Sequence, residues 1–145
     1  LYNATVRYGE LLNSLLINLQ SLIKKNINID DVSFQRVTAL SIIPTDGIEM
    51  SALASRLGID NSTATRLIIG MEKIGWVNRQ SSELDKRVVQ VYLTSKGCEF
   101  QIDLEKQLDL IGKEVELNLN PLEKQKMIDH ISHLSWVLLK LSINK

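Results

Sequence analysis

This 145-residue sequence predicts a mainly α-helical fold with one small β wing, and two observations carry the prediction. Met50 to Leu57 and Asn61 to Ile74 both show helical spacing of apolar residues. Gly58-Ile59-Asp60 separates them, a helix-stopping glycine followed by an N-capping aspartate. Directly afterwards come Trp76-Val77-Asn78-Arg79-Gln80 and Val88-Val89-Gln90-Val91-Tyr92-Leu93, rich in β-formers. They flank a polar tip from Ser81 to Arg87, which is the pattern of a hairpin with a long loop. Two helices across a tight turn, followed by a hairpin, make a winged helix-turn-helix lobe of the kind that binds DNA.

The remaining elements follow in order. Asn3 to Lys25 is helical in pattern, with Leu11, Leu12, Leu15, Leu16, Leu19, Leu22 and Ile23 as a wide apolar stripe. Asn26 to Asp31 breaks it. Asp31 or Ser33 starts a second helix carrying Phe34, Val37, Leu40 and Ile43. Pro44-Thr45-Asp46-Gly47 is a turn, and Ile48 adds a short third strand to the wing sheet. Thr94 opens a long helix to Glu116, with Phe100, Leu104, Leu108, Ile111 and Val115 near a heptad-like spacing. Asn120-Pro121-Leu122-Glu123 reads as a helix start, with Asn as cap and Pro at the first position. The last helix carries Met127, Ile128, Ile131, Leu134, Val137, Leu138 and Leu141. Both terminal helices hold more apolar surface than a small lobe can cover, and self-association is the simplest cover. The expectation is a single domain over 1–145: a winged helix-turn-helix lobe at about 33–93, with dimerisation helices at about 1–25 and 94–145.

The helix from 61 to 74 has two faces. Ala64, Leu67, Ile68, Met71 and Ile74 form the core-facing stripe. Asn61, Ser62, Thr63, Thr65 and Arg66 open the other face with short hydrogen-bonding groups and one guanidinium. That composition suits the N-terminal end of a recognition helix in a major groove, where Arg can take a guanine edge bidentately. The same residues also suit a capped, solvated helix start, and it is the wing, about 76–93, that favours DNA. In its tip, Lys86 and Arg87 are adjacent cations, and an Arg is narrow enough to enter a minor groove. Asp85 is placed to hold the Arg87 guanidinium in one pose. Arg79 on the first wing strand is a further candidate for DNA contact.

Charge agrees with this division. The chain is formally neutral, but residues 1–49, 50–97 and 98–145 carry −1, +3 and −2. The basic excess falls on the proposed reader, so binding to double-stranded DNA should be salt-sensitive. A single cysteine, Cys98, excludes an internal disulfide framework and fits a reducing, cytoplasmic setting. No apolar run is long enough for a membrane span, and no membrane role is expected.

The stretch from Leu53-Ala54 through Leu57-Gly58-Ile59 and Ser62-Thr63-Ala64-Thr65-Arg66-Leu67 resembles the multiple antibiotic resistance regulators, the MarR family. The resemblance continues through Glu72-Lys73-Ile74-Gly75-Trp76-Val77 and Asp85-Lys86-Arg87 to Leu93-Thr94-Ser95-Lys96-Gly97, without insertion or deletion from Gly75 onward. It implies a homodimeric transcription regulator, most often a repressor, of bacteria or archaea. It implies that Ser62, Thr63, Thr65 and Arg66 line the major groove and that Arg87 is the minor-groove residue. It also implies a small-molecule effector, often aromatic or phenolic, in a crevice that Tyr8, Phe34 and Arg36 can line, with no residue singled out. Ile69-Gly70 stands where the family often has polar residues. Gln80, Ser81 and Ser82 replace residues that are often charged. These differences bear on affinity and base choice.

Other sites weigh less. His130 and His133 share a helix face and can hold a metal, yet only Asp129 is an adjacent carboxylate, so surface or interface histidines are the simpler reading. Cys98 lies away from the first helix, where peroxide-sensing members of the family carry their reactive thiol. Trp76 is expected under the helix-turn-helix and Trp136 in the dimer body. No enzyme motif is present, and no cofactor is expected. Two rival readings stay open: a winged-helix protein–protein interaction module, and a ligand or metal sensor that does not bind DNA.

Overall fold

Local capping sets several of the helix boundaries. In the computed structural model, which describes residues 7–27 and 33–143, the order is α1 (Tyr8–Asn26), α2 (Phe34–Ile42), β1 (Ile48–Glu49), α3 (Met50–Leu57), α4 (Asn61–Lys73), β2 (Val77–Ser81), β3 (Val89–Leu93), α5 (Ser95–Leu117) and α6 (Lys124–Ile143). Gly58 ends α3 in the left-handed region at φ 66°. Its N–H bonds the Ser55 carbonyl, and the Ile59 N–H bonds that of Ala54. This is a Schellman closure, which needs a residue that tolerates positive φ. The same pair of bonds ends α4, from Gly75 to Glu72 and from Trp76 to Met71. Ser33, Asp60 and Thr94 cap α2, α4 and α5 with their side-chain oxygens.

Some boundaries differ from expectation. Helix α1 is described from Tyr8; the expected residues 3–6, and Asp31 as a start for α2, lie outside the described residues. The first wing strand runs one residue later, Val77–Ser81, and the second starts one residue later and ends as expected, Val89–Leu93. The last helix starts at Lys124 rather than Pro121. There Asn120 Oδ1 accepts the Leu122 N–H at 3.0 Å and the Asn120 carbonyl accepts that of Glu123 at 2.9 Å. That tight turn takes up residues 121–123 before α-type bonding begins.

The sheet has the order β1-β3-β2, all antiparallel. Val91 pairs with Ile48 on one side and Arg79 on the other, and its side chain is fully buried. It meets a core of Leu40 and Ile43 from the α2 end, Leu53, Ile68, Met71, Trp76, Val77 and Leu104. The expected stripe of α4 faces this core: Ala64, Ile68 and Met71 are buried, Leu67 and Ile74 half-buried. Trp76 is buried as expected and packs on Phe100, with ring centroids 4.5 Å apart.

Helices α1 and α6 contribute no buried residue among those described. Leu15, Leu16, Ile17, Ile131, Leu139 and Leu141 remain exposed within the protomer. Trp136 is half-exposed, between the His133 ring and the Lys140 ammonium. No described helix is long and apolar enough to cross a membrane.

Candidate nucleic-acid interface

The N-terminal turn of α4 is rigidly built. Asp60 Oδ1 accepts the Thr63 N–H at 2.9 Å, and Oδ2 accepts the Thr63 hydroxyl at 2.6 Å. These bonds, the hydroxyl first, hold the Asp60 carboxyl below its ordinary pKa, because they favour the charged form. Thr65 donates its hydroxyl to the Asn61 carbonyl at 2.7 Å. Both threonine protons are therefore used inside the helix, so Thr63 and Thr65 face outward as acceptors and methyl groups. Asn61, Ser62 and Arg66 are exposed. An Arg66 guanidinium nitrogen lies 3.5 Å from Thr63 Oγ1, a contact too long to hold it.

The wing tip is ordered by side chains that close on its own backbone. The Ser82 hydroxyl accepts the N–H groups of Leu84 and Asp85 at 3.2 and 3.4 Å. Asp85 Oδ1 accepts the backbone N–H of Arg87 at 2.9 Å. This corrects the expected role of Asp85. Among the described residues its carboxylate makes no ion pair with the Arg87 guanidinium. Two residues apart in a turn, a carboxylate reaches the backbone N–H first, as in an Asx turn. Asp85 shapes the backbone, and the side chains of Lys86 and Arg87 are left exposed.

Arg79 is engaged elsewhere. Its Nε and Nη2 donate to Glu72 Oε2 at 2.9 and 2.8 Å, and its backbone N–H donates to Oε1 at 3.2 Å. Donation from the Arg79 side chain is the main reason the Glu72 carboxyl sits below its ordinary pKa. The pair braces the end of α4 against β2, so it sets the angle between helix and wing. Sequence reasoning missed Glu72 here, because a contact across a helix–strand junction leaves no periodic signal.

Helix and wing converge at one shallow cavity of about 200 Å³, lined by Glu49, Met50, Ser51, Asn61, Thr65, Arg87 and Val89. Of the residues singled out from sequence, it brings together Asn61, Thr65 and Arg87; Ser62, Thr63, Arg66, Arg79 and Lys86 are not part of its lining. Ser51 and Glu49 join it unannounced, the Ser51 hydroxyl donating to Glu49 Oε1 at 2.5 Å. The cavity offers a guanidinium and an amide as donors beside one carboxylate, its two hydroxyl protons being already given to the Asn61 carbonyl and to Glu49. Such a group suits a phosphodiester oxygen better than a metal or an apolar ligand.

The other candidates separate. A Cβ at Gly70 would lie 2.8 Å from Arg36 Nη2, so Gly70 gives the Arg36 side chain its place on α4. Phe34 lines a different cavity of about 220 Å³ with Gln20, Gln35, Thr38, Leu57, Ile59 and Leu67, and neither Tyr8 nor Arg36 belongs to it. His133 lies against Trp136, and the described residues contain no group of three metal-ligating side chains. Cys98 is a half-buried free thiol.

The α2–α4 lobe, the hairpin after it and the flanking helices define a winged helix-turn-helix protein. Residues 37–89 match the model of the MarR family. The uncharacterized HTH-type transcriptional regulator YfiV of Bacillus subtilis (strain 168) is 34% identical over 110 residues, 74% of this chain and 68% of YfiV. The chain belongs to the MarR family. It is also 33% identical to the transcriptional repressor MprA of Escherichia coli (strain K12) over 97 residues, 62% of this chain and 55% of MprA, so the match spans about half of that relative. In fold it is similar to Streptococcus pneumoniae FabT, solved in complex with DNA, with a TM-score of 0.76 at 22% identity over 92% of this chain and 96% of FabT.

Proposed function

We propose that this chain is a homodimeric transcription regulator, a repressor acting in the cytoplasm, that binds a palindromic duplex site. The observation that carries this reading is the convergence of Asn61 and Thr65 from α4 with Arg87 from the wing on one cavity. A major-groove helix and a flanking wing must grip one backbone between them, and these residues meet where that backbone would pass. Asn61, Ser62, Thr63, Thr65 and Arg66 enter the major groove, with Arg66 the one guanidinium among them. Lys86 meets a phosphate and Arg87 the minor groove. Arg79 keeps Glu72 and acts on DNA through the helix–wing angle.

The dimer rests on α1 and α6, whose apolar faces the protomer leaves in water. A two-fold axis there sets two α4 helices about one helical turn apart on the duplex. FabT, a neighbour in fold, was solved on DNA, and MprA is named a repressor, which supports the same reading. A small effector that alters the spacing of the two readers would relieve repression. Binding of the purified protein to its own upstream intergenic DNA and to a scrambled duplex, at two salt concentrations, tests the proposal. Selective binding that weakens with salt, and weakens further for Arg87→Ala, is the expected result. Equal weak binding to both duplexes, unchanged by the substitution, refutes it.

A further inference from the structure

Leu84 is 100% exposed at the apex of the wing. A lone exposed leucine is ordinary, but this one is held out by a fixed frame. Ser82 Oγ takes the N–H of Leu84 and of Asp85, the Asp85 carbonyl takes that of Val88, and the Asp85 carboxylate takes that of Arg87. These bonds fix the backbone on both sides of Leu84 and leave its side chain without a neighbour to cover it. The charges around it cancel, Glu83 and Asp85 against Lys86 and Arg87. A neutral tip gains little from the net field of a polyanion, so seating it requires contact of another kind. The base of the same tip reaches the α4 side, where Arg87 shares a cavity with Asn61 and Thr65.

We propose that Leu84 is an apolar wedge for the minor groove. Resting on the duplex-binding reading above, the wing places Leu84 beside Arg87 in that groove. Its side chain packs on the deoxyribose walls and against the edge of a base step. Insertion of an apolar side chain partly unstacks such a step, and it costs least at flexible pyrimidine–purine steps. Leu84 thereby adds affinity without adding charge, and it adds a preference for deformable sequence outside the major-groove half-site.

The test uses the full chain and a duplex that the wild-type protein selects from a random-sequence pool, with 2-aminopurine placed through the flanking minor-groove steps. Affinity is titrated across salt for wild type, Leu84→Ala, Leu84→Met and Arg87→Ala. Leu84→Ala should bind about tenfold more weakly at every salt concentration, with the slope against salt unchanged, since a leucine displaces no counterions. Leu84→Met should recover most of the loss. Arg87→Ala should lower the slope by about 1. Wild type should brighten 2-aminopurine at one step, and Leu84→Ala should not. If Leu84→Ala matches wild type in affinity and fluorescence while Arg87→Ala weakens binding, the wedge is overturned and duplex binding stands. If wild type enriches no sequence from the pool and binds duplex regardless of Arg87, the duplex-binding reading itself has failed.

Discussion

Gly97→Ala tests how tightly the long helix α5 is joined to the wing. Gly97 lies in the first turn of α5, against the backbone of Trp76. A Cβ there would stand 2.9 Å from the Trp76 carbonyl carbon and closer still to its oxygen. The oxygen is the tighter contact, and since a Cβ essentially never comes within about 3.0 Å of another heavy atom, α5 must retreat by about 1 Å or more. Two bonds cross the same joint, the Thr94 N–H to the Trp76 carbonyl at 3.0 Å and the Thr94 hydroxyl to the Gly75 carbonyl at 2.6 Å. A retreat of that size stretches the first beyond hydrogen-bonding range and weakens the second. Overpacking costs about 1–3 kcal/mol, and the weakened bonds add about 1–2 kcal/mol. The sum, about 2–5 kcal/mol, is a large part of the roughly 5–15 kcal/mol that hold a domain folded. For a chain of this size it lowers Tm by roughly 5–20 °C. The assay is a thermal melt followed by circular dichroism at matched protein concentration, because a dimer's Tm depends on concentration. Gly112 is the control, lying on the same helix with nothing within 4 Å of a built Cβ. Gly112→Ala should gain up to about 1 kcal/mol from helix propensity. A Gly97→Ala protein that melts with wild type would show that the joint yields freely, and the reasoning would be wrong.

Further outcomes follow from the caps, the brace and the terminal helices. Asp60 and Glu72 both have lowered carboxyl pKa values, so the unfolded chain binds more protons than the folded one in acid. The stability they add is complete above the ordinary carboxyl pKa of about 4 and is lost as pH falls through their lowered folded values. Denaturant melts down the acid range should therefore show a shallower loss for Asp60→Asn, which keeps the cap and removes the charge; an unchanged acid limb would refute this. Glu72→Gln frees Arg79 and loosens the helix–wing angle. It should weaken selective duplex binding more than it weakens binding to scrambled duplex, and an equal change on both would reassign the pair to stability alone. Ile131→Glu puts a charge on the open face of α6 and should convert a dimer to monomer by sedimentation velocity, whereas an undiminished dimer would exclude that face from the interface. Arg66→Ala should cost about 1–3 kcal/mol at one base position if Arg66 reads a base edge; a uniform loss over all sequences would assign it to phosphate.

Much of the fold was legible because the signals are local. Gly58 and Asp60 end one helix and start the next through bonds that span only a few residues, and Thr94 does the same for α5. The alternation around Val91 and the helical stripe through Ala64, Ile68 and Met71 state which faces are buried before any partner is known. The polar face of α4 was legible for the same reason, since Asn61, Ser62 and Arg66 are what remains once the stripe is assigned. The start of α6 was misplaced because an Asn-Pro signal fits a tight turn as well as a helix cap, and the choice falls to weak local bonds. What only the tertiary structure decided lies between elements. Glu72 takes Arg79 across the turn into the wing, Asp85 takes a backbone N–H instead of a guanidinium, and Arg36 lies over Gly70. Glu49 and Ser51 arrive beside Arg87. Sequence periodicity fixes which side of an element is apolar, but it carries no record of the angle at which two elements meet, and every one of these contacts depends on that angle.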